Sequence, residues 1–578
     1  MPRKARTGLT RLGRYVRGSR RRIALLGSAA AIGAACQVSG WLLVGKAIDQ
    51  GIRARNEGRL IAIVIAYLIV NAASWGLGTL LIRGLAGVGH GIVLSVRRDL
   101  FDHLTSLSLR YFSEQRAGWI IARLTSDIDA LSDVLSQGLS TLVQNSLTLV
   151  AAVIGLFVLD WRLGLVALVI LPPALVLTRW FQVRSHTSFL RVREKIAAVT
   201  AQLAESVSGM AVIQAYNREP AFRAEFDGFN DANRTANMHA QRLNSFFFPA
   251  IEFLGVIATA AVLLYGSHLY SGGTLAIGTL IAAVGLLALV FQPLQELSDL
   301  YSQVQSAGAA MEKIVTVLDT EAEIRDRPGA RPPGRIEGKL DLDAVTFAYG
   351  AEPVLHAIEL HVPAGGCVAL VGESGGGKST LAKLIARFYD PDEGTVRVDG
   401  NDLRELELRT YRRQLGVVLQ DPFLFAGTIA DNIRFARPEA TDVAVAATAA
   451  AIGVDRIASR FDAGLHHVVR EGGAGLSAGE RQLISIARAL LADPRILILD
   501  EATSNIDRPT EVLIQRALDR LLHGRTSVIV AHRLATVRRA DEILVVERGR
   551  ILQRGSEAEL LAVEGPFRRL ARELHAAA

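Results

Sequence analysis

The chain has 578 residues, of which 50% are hydrophobic and 21% are charged, and its mean hydropathy is positive. This length leaves room for at least two sizeable domains, and the composition favours a membrane protein. The two cysteines, Cys36 and Cys367, have no ligand-like neighbours, which argues against a disulfide framework and against a cysteine metal site.

The first 22 residues form a basic arm that contains nine Lys or Arg and ends in Arg20-Arg21-Arg22. The arm lacks the apolar core and the cleavage site of a signal peptide, so the positive-inside rule predicts a cytoplasmic N-terminus. The net charge of +7 could indicate nucleic acid, but much of the excess lies in this arm. Anionic lipid headgroups are the simpler explanation, so we expect contact with membrane lipid and no nucleic-acid partner.

Six apolar runs follow in the first half of the chain. A bilayer needs about 20 apolar residues in a helix that crosses it, and runs of this kind fit poorly with buried helices of a soluble bundle. We therefore predict six membrane-spanning helices, which place both termini on one side. The runs centre on Ile23–Val44, Leu60–Leu81, Leu139–Leu159, Leu163–Leu177, Phe246–Tyr265 and Leu275–Leu294.

The connections between these runs alternate in length. Those after the second and fourth runs are long, basic and helix-like, whereas residues 160–162 alone separate the third run from the fourth. Long inner and short outer connections agree with cytoplasmic termini in a plasma or inner membrane. The first outer connection contains Arg53, Arg55 and Arg59. These three are a mild exception to the rule that Lys and Arg concentrate in inner connections.

Few polar residues fall inside the runs, and an ionisable group within a membrane is a candidate for the substrate pathway. Arg83 is the best candidate among them, although its helix could already have left the hydrocarbon at that point. The polar residues are Gln37, Asn71, Arg83, Gln144 and Asn145.

A segment rich in proline, glycine and arginine, residues 325–334, separates the two halves of the chain. We place the domain boundary there. The predicted domains are the arm (1–22), a membrane domain (23–318), a linker (319–334) and a second domain (335–578).

The second domain begins with a strand, a glycine-rich loop and a helix. The apolar strand 367–371 precedes a full G-x-x-x-x-G-K-S phosphate loop, and apolar residues at helical spacing follow it. In this context Lys378 reaches the β- and γ-phosphates of a nucleotide, and the Ser379 hydroxyl can ligate Mg²⁺. The predicted nucleotide-binding residues of the loop are Gly372, Glu373, Ser374, Gly375, Gly376, Gly377, Lys378, Ser379 and Thr380.

Two carboxylates follow a buried strand farther along the chain. Asp500 ends the strand 496–500 and Glu501 comes next. Asp500 suits a water-mediated hold on Mg²⁺, and Glu501 is then positioned as the general base that polarises the attacking water. In isolation such a pair is as often a solvated turn.

Three further residues lie at strand ends or on a strand. His532 ends an apolar strand and could contact the γ-phosphate, Gln420 follows the strand 415–419, and Tyr349 offers a ring on which adenine could stack. Each would be unremarkable alone, His532 as a structural histidine and Tyr349 as a strand aromatic. Their order and spacing around the phosphate loop are what favour an ATP site.

Residues 335–578 resemble the nucleotide-binding domain of an ABC transporter. The run 476–480, Leu-Ser-Ala-Gly-Glu, is similar to that family's signature Leu-Ser-Gly-Gly-Gln, and residues 504–507 are similar to its D-loop. The resemblance implies that Tyr349 stacks on adenine and that Gln420 links Mg²⁺ to the membrane domain. It also implies that Ser477 and Gly479 contact the γ-phosphate held by the opposite subunit.

The resemblance extends over the first half, where residues 111–129 and 205–219 look like the two intracellular loops of exporter-type ABC membrane domains. The fold class implied is an all-α six-helix membrane domain followed by an α/β P-loop NTPase domain of the ABC type. Six spans are half of the family's usual twelve, so a second half-transporter subunit is expected. Because Ala478 and Glu480 depart from the signature, a heterodimer is slightly favoured over a homodimer.

The function implied is ATP-driven export of an amphipathic drug, lipid or peptide, with ATP and Mg²⁺ as cofactors. An importer of the same architecture, for instance for metal–siderophore complexes, is the alternative. A soluble ABC ATPase that acts on nucleic acid would share the second half but would lack the six spans.

Overall fold

The computed structural model describes every residue except 1–14, 16, 501–507, 532, 533, 577 and 578. The chain divides into two compact units. The first unit comprises Met1–Ser106 and Gln115–Glu321, and the second comprises Leu107–Glu114 and Ala322–Ala578. The short segment Leu107–Glu114, which includes the start of the loop-like run 111–129, therefore belongs to the second unit.

Long helices build the first half of the chain. Two π-helical turns, Ala47–Ile52 and Val134–Gly138, interrupt them, and a 3₁₀ turn, Arg17–Ser19, precedes them. In chain order the α-helices are α1 (Arg20–Lys46), α2 (Glu57–Ser106), α3 (Leu109–Glu114), α4 (Ala117–Leu124), α5 (Ser126–Asp133), α6 (Leu139–Leu159), α7 (Trp161–Ser208), α8 (Met210–Ala215), α9 (Glu219–Ser271) and α10 (Ile277–Leu318).

Within the described residues, six helical segments are long and apolar enough to cross a membrane, which confirms the predicted number of spans. Four of them, α2, α7, α9 and α10, have 42 to 53 residues. At about 1.5 Å per residue such helices exceed 60 Å, roughly twice the thickness of the hydrocarbon core. Each of these four helices therefore continues well beyond the membrane.

The helices α1 and α10 pack closely because glycines line their contact. Trp41 lies against Gly285, and the carbonyl of Gly45 lies against Gly278, so that a Cβ atom at either position on α10 would overlap its neighbour. The amide of Gly278 also donates to Oδ1 of Asp49 at 2.9 Å. This carboxylate satisfies one of the free N–H groups in the first turn of α10.

A buried ion pair spans the break between α4 and α5. Thr125 is non-helical there, with φ −111° and ψ −95°. Arg123 and Asp127, which are 6% and 9% exposed, pair across the break, and the Arg123 guanidinium lies 4.4 Å from the centre of the Trp119 ring. Lys313 on α10 adds a second cation at 3.6 Å from Asp127.

The second unit contains two main sheets. One has four strands in the order β2-β1-β4-β5, and the other has six in the order β12-β11-β3-β10-β9-β6. The strands are β1 (Leu340–Ala348), β2 (Pro353–Val362), β3 (Cys367–Val371), β4 (Glu393–Val398), β5 (Asn401–Asp402), β6 (Leu415–Val418), β7 (Gly427–Thr428), β8 (Val468–Val469), β9 (Ile496–Asp500), β10 (Thr526–Val530), β11 (Glu542–Glu547) and β12 (Arg550–Gly555).

Helices cover the six-stranded sheet, whose central strands are almost fully buried, as is typical of parallel strands. The predicted fold class, a helical membrane domain followed by an α/β domain, is confirmed. The helices are α11 (Lys378–Ile385), α12 (Leu408–Arg412), α13 (Ile429–Arg434), α14 (Asp442–Ile452), α15 (Val454–Ala458), α16 (Ala478–Ala492), α17 (Arg508–Leu522), α18 (Leu534–Val537), α19 (Glu557–Ala562) and α20 (Pro566–Ala576), with 3₁₀ turns at Leu403–Glu405, Gly464–His466 and Glu471–Gly473.

The segment predicted as a linker lies on the second unit from residue 322 onwards. Arg331 exchanges backbone hydrogen bonds with Glu405 and Glu407, and Oδ1 of Asp326 accepts from the amide of Leu408 at 2.8 Å. Arg387, 1% exposed, donates to the carbonyl of Arg325 at 3.4 Å. These contacts fix the end of the linker to the sheet domain.

Candidate nucleotide-binding site and membrane cavity

The phosphate loop joins β3 to α11, as the sequence predicts. Gly377 is the N-cap of α11 and has φ +104°, a left-handed conformation that favours glycine. At Gly372, with φ +141°, a Cβ atom would overlap the carbonyl oxygen of Val546 on the neighbouring strand β11. The loop therefore requires glycine both for its backbone conformation and for its close approach to the sheet.

Lys378 holds the loop together from within. Its Nζ atom donates to the carbonyls of Gly372 and Glu373, at 2.8 and 2.7 Å, and the residue is only 4% exposed. The ammonium group therefore lies inside the turn of the loop. Phosphate oxygens bound within such a loop would meet this charge together with the N-terminus of α11.

Two side chains that end in oxygen atoms meet at the carboxyl edge of the sheet. Oγ of Ser379 donates to Oδ1 of Asp500 at 3.4 Å. Gln420 follows β6, which pairs with β9, the strand that ends at Asp500, and its side chain is exposed. Hydroxyl, carboxylate and amide oxygens are the ligands that Mg²⁺ takes, usually together with phosphates and water. These residues fit Mg²⁺ bound with a nucleotide.

Tyr349 lies beside the phosphate loop. Its hydroxyl donates to Oγ1 of Thr380 at 3.2 Å, the ring of Tyr389 meets it edge-on at 5.2 Å, and Nζ of Lys383 lies 5.7 Å from the ring centre. The ring is therefore held in place next to the loop residues. An aromatic ring beside a phosphate loop is a candidate for stacking on the base of a nucleotide.

Arg110 on α3 is part of this region, and the sequence reasoning missed it. The guanidinium donates to the carbonyl of Tyr349 at 3.4 Å, pairs with Glu323 at 3.1 Å and lies 5.7 Å from the Tyr389 ring centre. In the sequence, Arg110 is marked only by its place directly before the segment 111–118, which resembles part of an intracellular loop of the family.

Burial raises the pKa of the Cys367 thiol, at the start of β3, to about 12. The thiol therefore remains protonated at neutral pH, and Cys367 acts as an apolar strand residue. Cys36, on α1, is also a free thiol.

The signature run begins the 15-residue helix α16. Ser477 is its N-cap, and Ala478 is its first helical residue. The amide of Glu480 donates to Oγ of Ser477 at 3.3 Å, and the amide of Ser477 donates to Oε2 of Glu480 at 2.8 Å, so the two form a capping box. Gly479 is buried in the first turn. A helix N-terminus of this kind favours an anion.

Glu501, His532 and the D-loop-like run 504–507 lie outside the described residues. The strands that precede Glu501 and His532, β9 and β10, pair in parallel, with Val530 opposite Asp500. The carboxyl ends of both strands therefore meet at the same edge of the sheet as the phosphate loop, since β10 also pairs with β3.

A cavity of about 580 Å³ lies in the first unit, among α5, α7, α9 and α10. Its walls combine aromatic and charged side chains. In the aromatic wall, the ring of Phe181 stacks on the buried ring of Phe247 behind it, at 4.0 Å between centroids, and meets Phe248 edge-on at 6.2 Å. The principal lining residues are Phe181, Phe189, Phe248, Asp133, Arg193 and Asp299.

The polar residues predicted inside the spans have different environments. Gln37 accepts from Thr148 at 3.1 Å, and Asn145 donates to Glu296 at 2.7 Å, both between helices. Asn71 donates to a carbonyl of its own helix. Arg83 is exposed on α2 and does not line the cavity.

Sequence reasoning missed Glu296 and Asp299 because the predicted sixth apolar run ends near Leu294. The helix α10 continues without a break to Leu318 and carries both carboxylates. Gln292, one turn before Glu296, donates to it at 3.1 Å. A helical pattern that continues past the apolar run would have pointed to these two carboxylates, whereas hydropathy alone could not.

Two family models match the chain. The model of the ABC transporter transmembrane region matches residues 23–294, and the ABC transporter model matches residues 355–504, which include the phosphate loop. Together with the fold, these matches define a membrane ATPase. The chain belongs to the ABC transporter family, and it is an exporter-type half-transporter in which ATP hydrolysis is coupled to transport, as predicted.

Relatives cover almost the whole chain. The uncharacterized ABC transporter ATP-binding protein YknV of Bacillus subtilis is 38% identical over 93% of this chain and 89% of that protein. An ATP-dependent lipid A-core flippase of Syntrophus aciditrophicus is 33% identical over 91% and 88%. A fatty acid ABC transporter ATP-binding/permease protein of Mycobacterium bovis is 37% identical over 90% and 82%.

Among solved structures, a bacterial Atm1-family ABC exporter with ATP bound matches 96% of this chain and 98% of its own, with a TM-score of 0.82 and 26% identity. The importer alternative is not favoured by these matches. The protein is a multi-pass membrane protein.

Proposed function

We propose that this half-transporter exports an amphipathic substrate from the cytoplasmic side of the plasma membrane, with both termini in the cytoplasm. The observation that carries the proposal is the cavity, whose walls offer aromatic rings and charged groups together. An amphipathic molecule can place its apolar part against Phe181, Phe189 and Phe248 and its polar part towards Asp299 or Arg193.

Drugs, lipids and peptides all fit this description, and lipid-like amphiphiles are the first class to test. Support comes from the relatives, since one is described as a lipid A-core flippase and another as a fatty acid transporter. The export direction is supported by the position of the cavity. On α7 and α10 its lining residues lie past the apolar runs 163–177 and 275–294, in the parts of these helices that extend beyond the hydrocarbon.

The test is ATP hydrolysis by the full-length protein in lipid nanodiscs, titrated with a fatty acid, a lysophospholipid, a cationic dye and a short apolar peptide. A true substrate should stimulate hydrolysis at micromolar concentration. Phe189→Ala should raise the stimulating concentration about tenfold, the effect of roughly 1.4 kcal/mol of lost contact. Phe253, 63% exposed on α9, provides the matched control, and Phe253→Ala should leave the titration unchanged.

A stimulation that Phe189→Ala and Asp299→Asn both leave unaltered would remove the cavity from the substrate path. Uptake into inside-out vesicles measures direction separately. ATP-dependent accumulation inside such vesicles supports export, and ATP-dependent loss would favour import.

For the ATP site we propose that each residue has the role of the family residue at the matching position of the motif. Lys378 holds the phosphates, Tyr349 stacks on adenine, and Ser379, Gln420 and Asp500 hold Mg²⁺, which neutralises phosphate charge when it is bound. Glu501 accepts a proton from the attacking water, and His532 contacts the γ-phosphate. The 3.4 Å contact of Ser379 with Asp500 supports the metal assignment.

Half-transporters of this family work as dimers, and we propose that Ser477 and Gly479 complete the site of the opposite subunit. The N-terminus of α16 suits this role, because it presents free backbone N–H groups to an anion. On α8 and just after it, outside the apolar runs, Val212 and Tyr216 are 61% and 75% exposed, which also supports a protein partner.

We further propose that the partner is a different half-transporter. Ala478 carries a Cβ atom where the family has glycine, so the approach of backbone to phosphate is more crowded in one of the two sites. Expression of this chain alone tests the proposal. Full substrate-stimulated hydrolysis by the self-paired protein, with no gain from Ala478→Gly, would establish a homodimer.

A further inference from the structure

The first turn of α16 contains a carboxylate that the surroundings nearly enclose. Glu480 is 8% exposed and sits three residues after the N-cap Ser477. One carboxylate oxygen, Oε2, is used by the capping box, where it accepts from the amide of Ser477 at 2.8 Å. The other oxygen, Oε1, remains available for a cation.

Arg460 supplies that cation from another part of the chain. It follows α15 and lies 20 residues before Glu480, and its Nη2 atom pairs with Oε1. The Glu480 side chain is 11% exposed and the Arg460 side chain is 57% exposed, so solvent cannot screen the carboxylate but reaches the guanidinium. A buried carboxylate without a partner is strongly disfavoured. The charge of Glu480 is therefore stabilised by Arg460, whereas the charge of Arg460 is also stabilised by solvent.

We propose that Arg460 is a positioning residue of the ATP site, which cancels the charge of Glu480 at the helix terminus that must receive a phosphate. The inference rests on the proposed function, in which Ser477 and Gly479 contact the γ-phosphate of the opposite site. A helix N-terminus attracts anions through its free N–H groups, and a bare carboxylate in the first turn opposes that attraction. With Arg460 in place, the terminus keeps its net positive character.

The experiment measures steady-state ATP hydrolysis in nanodiscs, and it records KM for ATP, turnover and melting temperature for the wild type and for each variant. Arg460→Gln should raise KM about tenfold or more, since it leaves one uncompensated charge near the phosphate, and added salt should partly relieve the defect. Glu480→Gln should show a KM equal to or below that of the wild type, because the surplus cation then faces the phosphate. The double variant, Arg460→Gln with Glu480→Gln, should return to the wild-type value.

Arg456, which is exposed on α15, is the matched control, and Arg456→Gln should leave KM unchanged. A merely structural clamp predicts a different pattern, in which Arg460→Gln and Glu480→Gln both lower the melting temperature and the double variant does not recover. That pattern, or an unchanged KM in Arg460→Gln, overturns the inference.

Ser477→Ala tests the proposed contact between the signature and the phosphate separately from the role of Arg460. If it leaves KM for ATP unchanged, the proposed contact between the signature and the phosphate is wrong, and the role of Arg460 falls with it. If Ser477→Ala raises KM while Arg460→Gln does not, the signature contact stands and only the role of Arg460 is rejected.

Discussion

The hydroxyl of Ser379, at the start of α11, lies 3.4 Å from a carboxylate oxygen of Asp500, at the end of β9. The two residues are 121 positions apart in the sequence. They meet because β3, β10 and β9 are adjacent parallel strands, whose carboxyl ends form one edge of the sheet. The proposed hydrolytic site is built on this edge.

Loss of either oxygen should impair Mg²⁺ use. We expect Ser379→Ala and Asp500→Asn to lower ATP hydrolysis on the order of 100-fold, because a metal contributes several kcal/mol to stabilising phosphoryl charge. Ser379→Thr keeps the hydroxyl and is the matched control, which should stay near the wild type. Hydrolysis measured against Mg²⁺ concentration checks this, and a normal Mg²⁺ dependence in Ser379→Ala would contradict the assignment.

Glu501→Gln should keep ATP bound while turnover falls by about 10²- to 10⁴-fold, the range for removal of a general base. Glu564, an exposed carboxylate of the same domain, provides the control Glu564→Gln, which should hydrolyse ATP normally. Nucleotide binding by fluorescence and phosphate release by a coupled assay separate the two effects. Near-normal turnover in Glu501→Gln, in a preparation free of partner subunits, would remove Glu501 from the base role.

Tyr349→Ala should raise KM for ATP about tenfold, since stacking on a base contributes roughly 1–3 kcal/mol. Tyr349→Phe keeps the ring and loses only the 3.2 Å hydrogen bond to Thr380, so its KM should change by less than that of Tyr349→Ala. The comparison of the two variants is made by ATPase titration. Equal KM values for Ala and Phe would show that the ring does not stack on adenine.

Gly285→Ala should destabilise the membrane domain by about 1–3 kcal/mol, because the added methyl overlaps Trp41 in a closely packed contact. At Gly76 on α2 an added methyl would have nothing within 4 Å, so Gly76→Ala is the matched control. Thermal unfolding of the full-length protein in detergent measures the difference. Equal melting temperatures for the two variants would mean that α1 and α10 pack differently.

Arg123→Ala should cost on the order of 3 kcal/mol, since it removes the nearest cation from the buried Asp127 and leaves only the more exposed Lys313, at 3.6 Å. Arg97 pairs with Asp129 at 3.6 Å on an exposed face, where both side chains are about half exposed or more, and Arg97→Ala should change stability by less than about 1 kcal/mol. Melting temperatures provide the comparison. A loss in Arg97→Ala as large as in Arg123→Ala would contradict the buried-pair argument.

Much of the fold follows from local patterns. The six spans are visible because apolar runs of that length have few other solutions, and the phosphate loop is visible because its strand, glycines and helix are contiguous. Where a feature depends on neighbours in sequence, the sequence indicates it.

The sequence by itself therefore determined the family, the order of the two halves and the place of the glycine-rich loop that we propose holds phosphate. Tertiary structure alone decided which distant groups meet. Arg460 compensates Glu480, Arg110 contacts Tyr349, and Asn145 binds Glu296 across helices. Such pairs depend on how helices and strands pack after they form. The sequence around a single polar or charged residue does not indicate which distant residue it will contact.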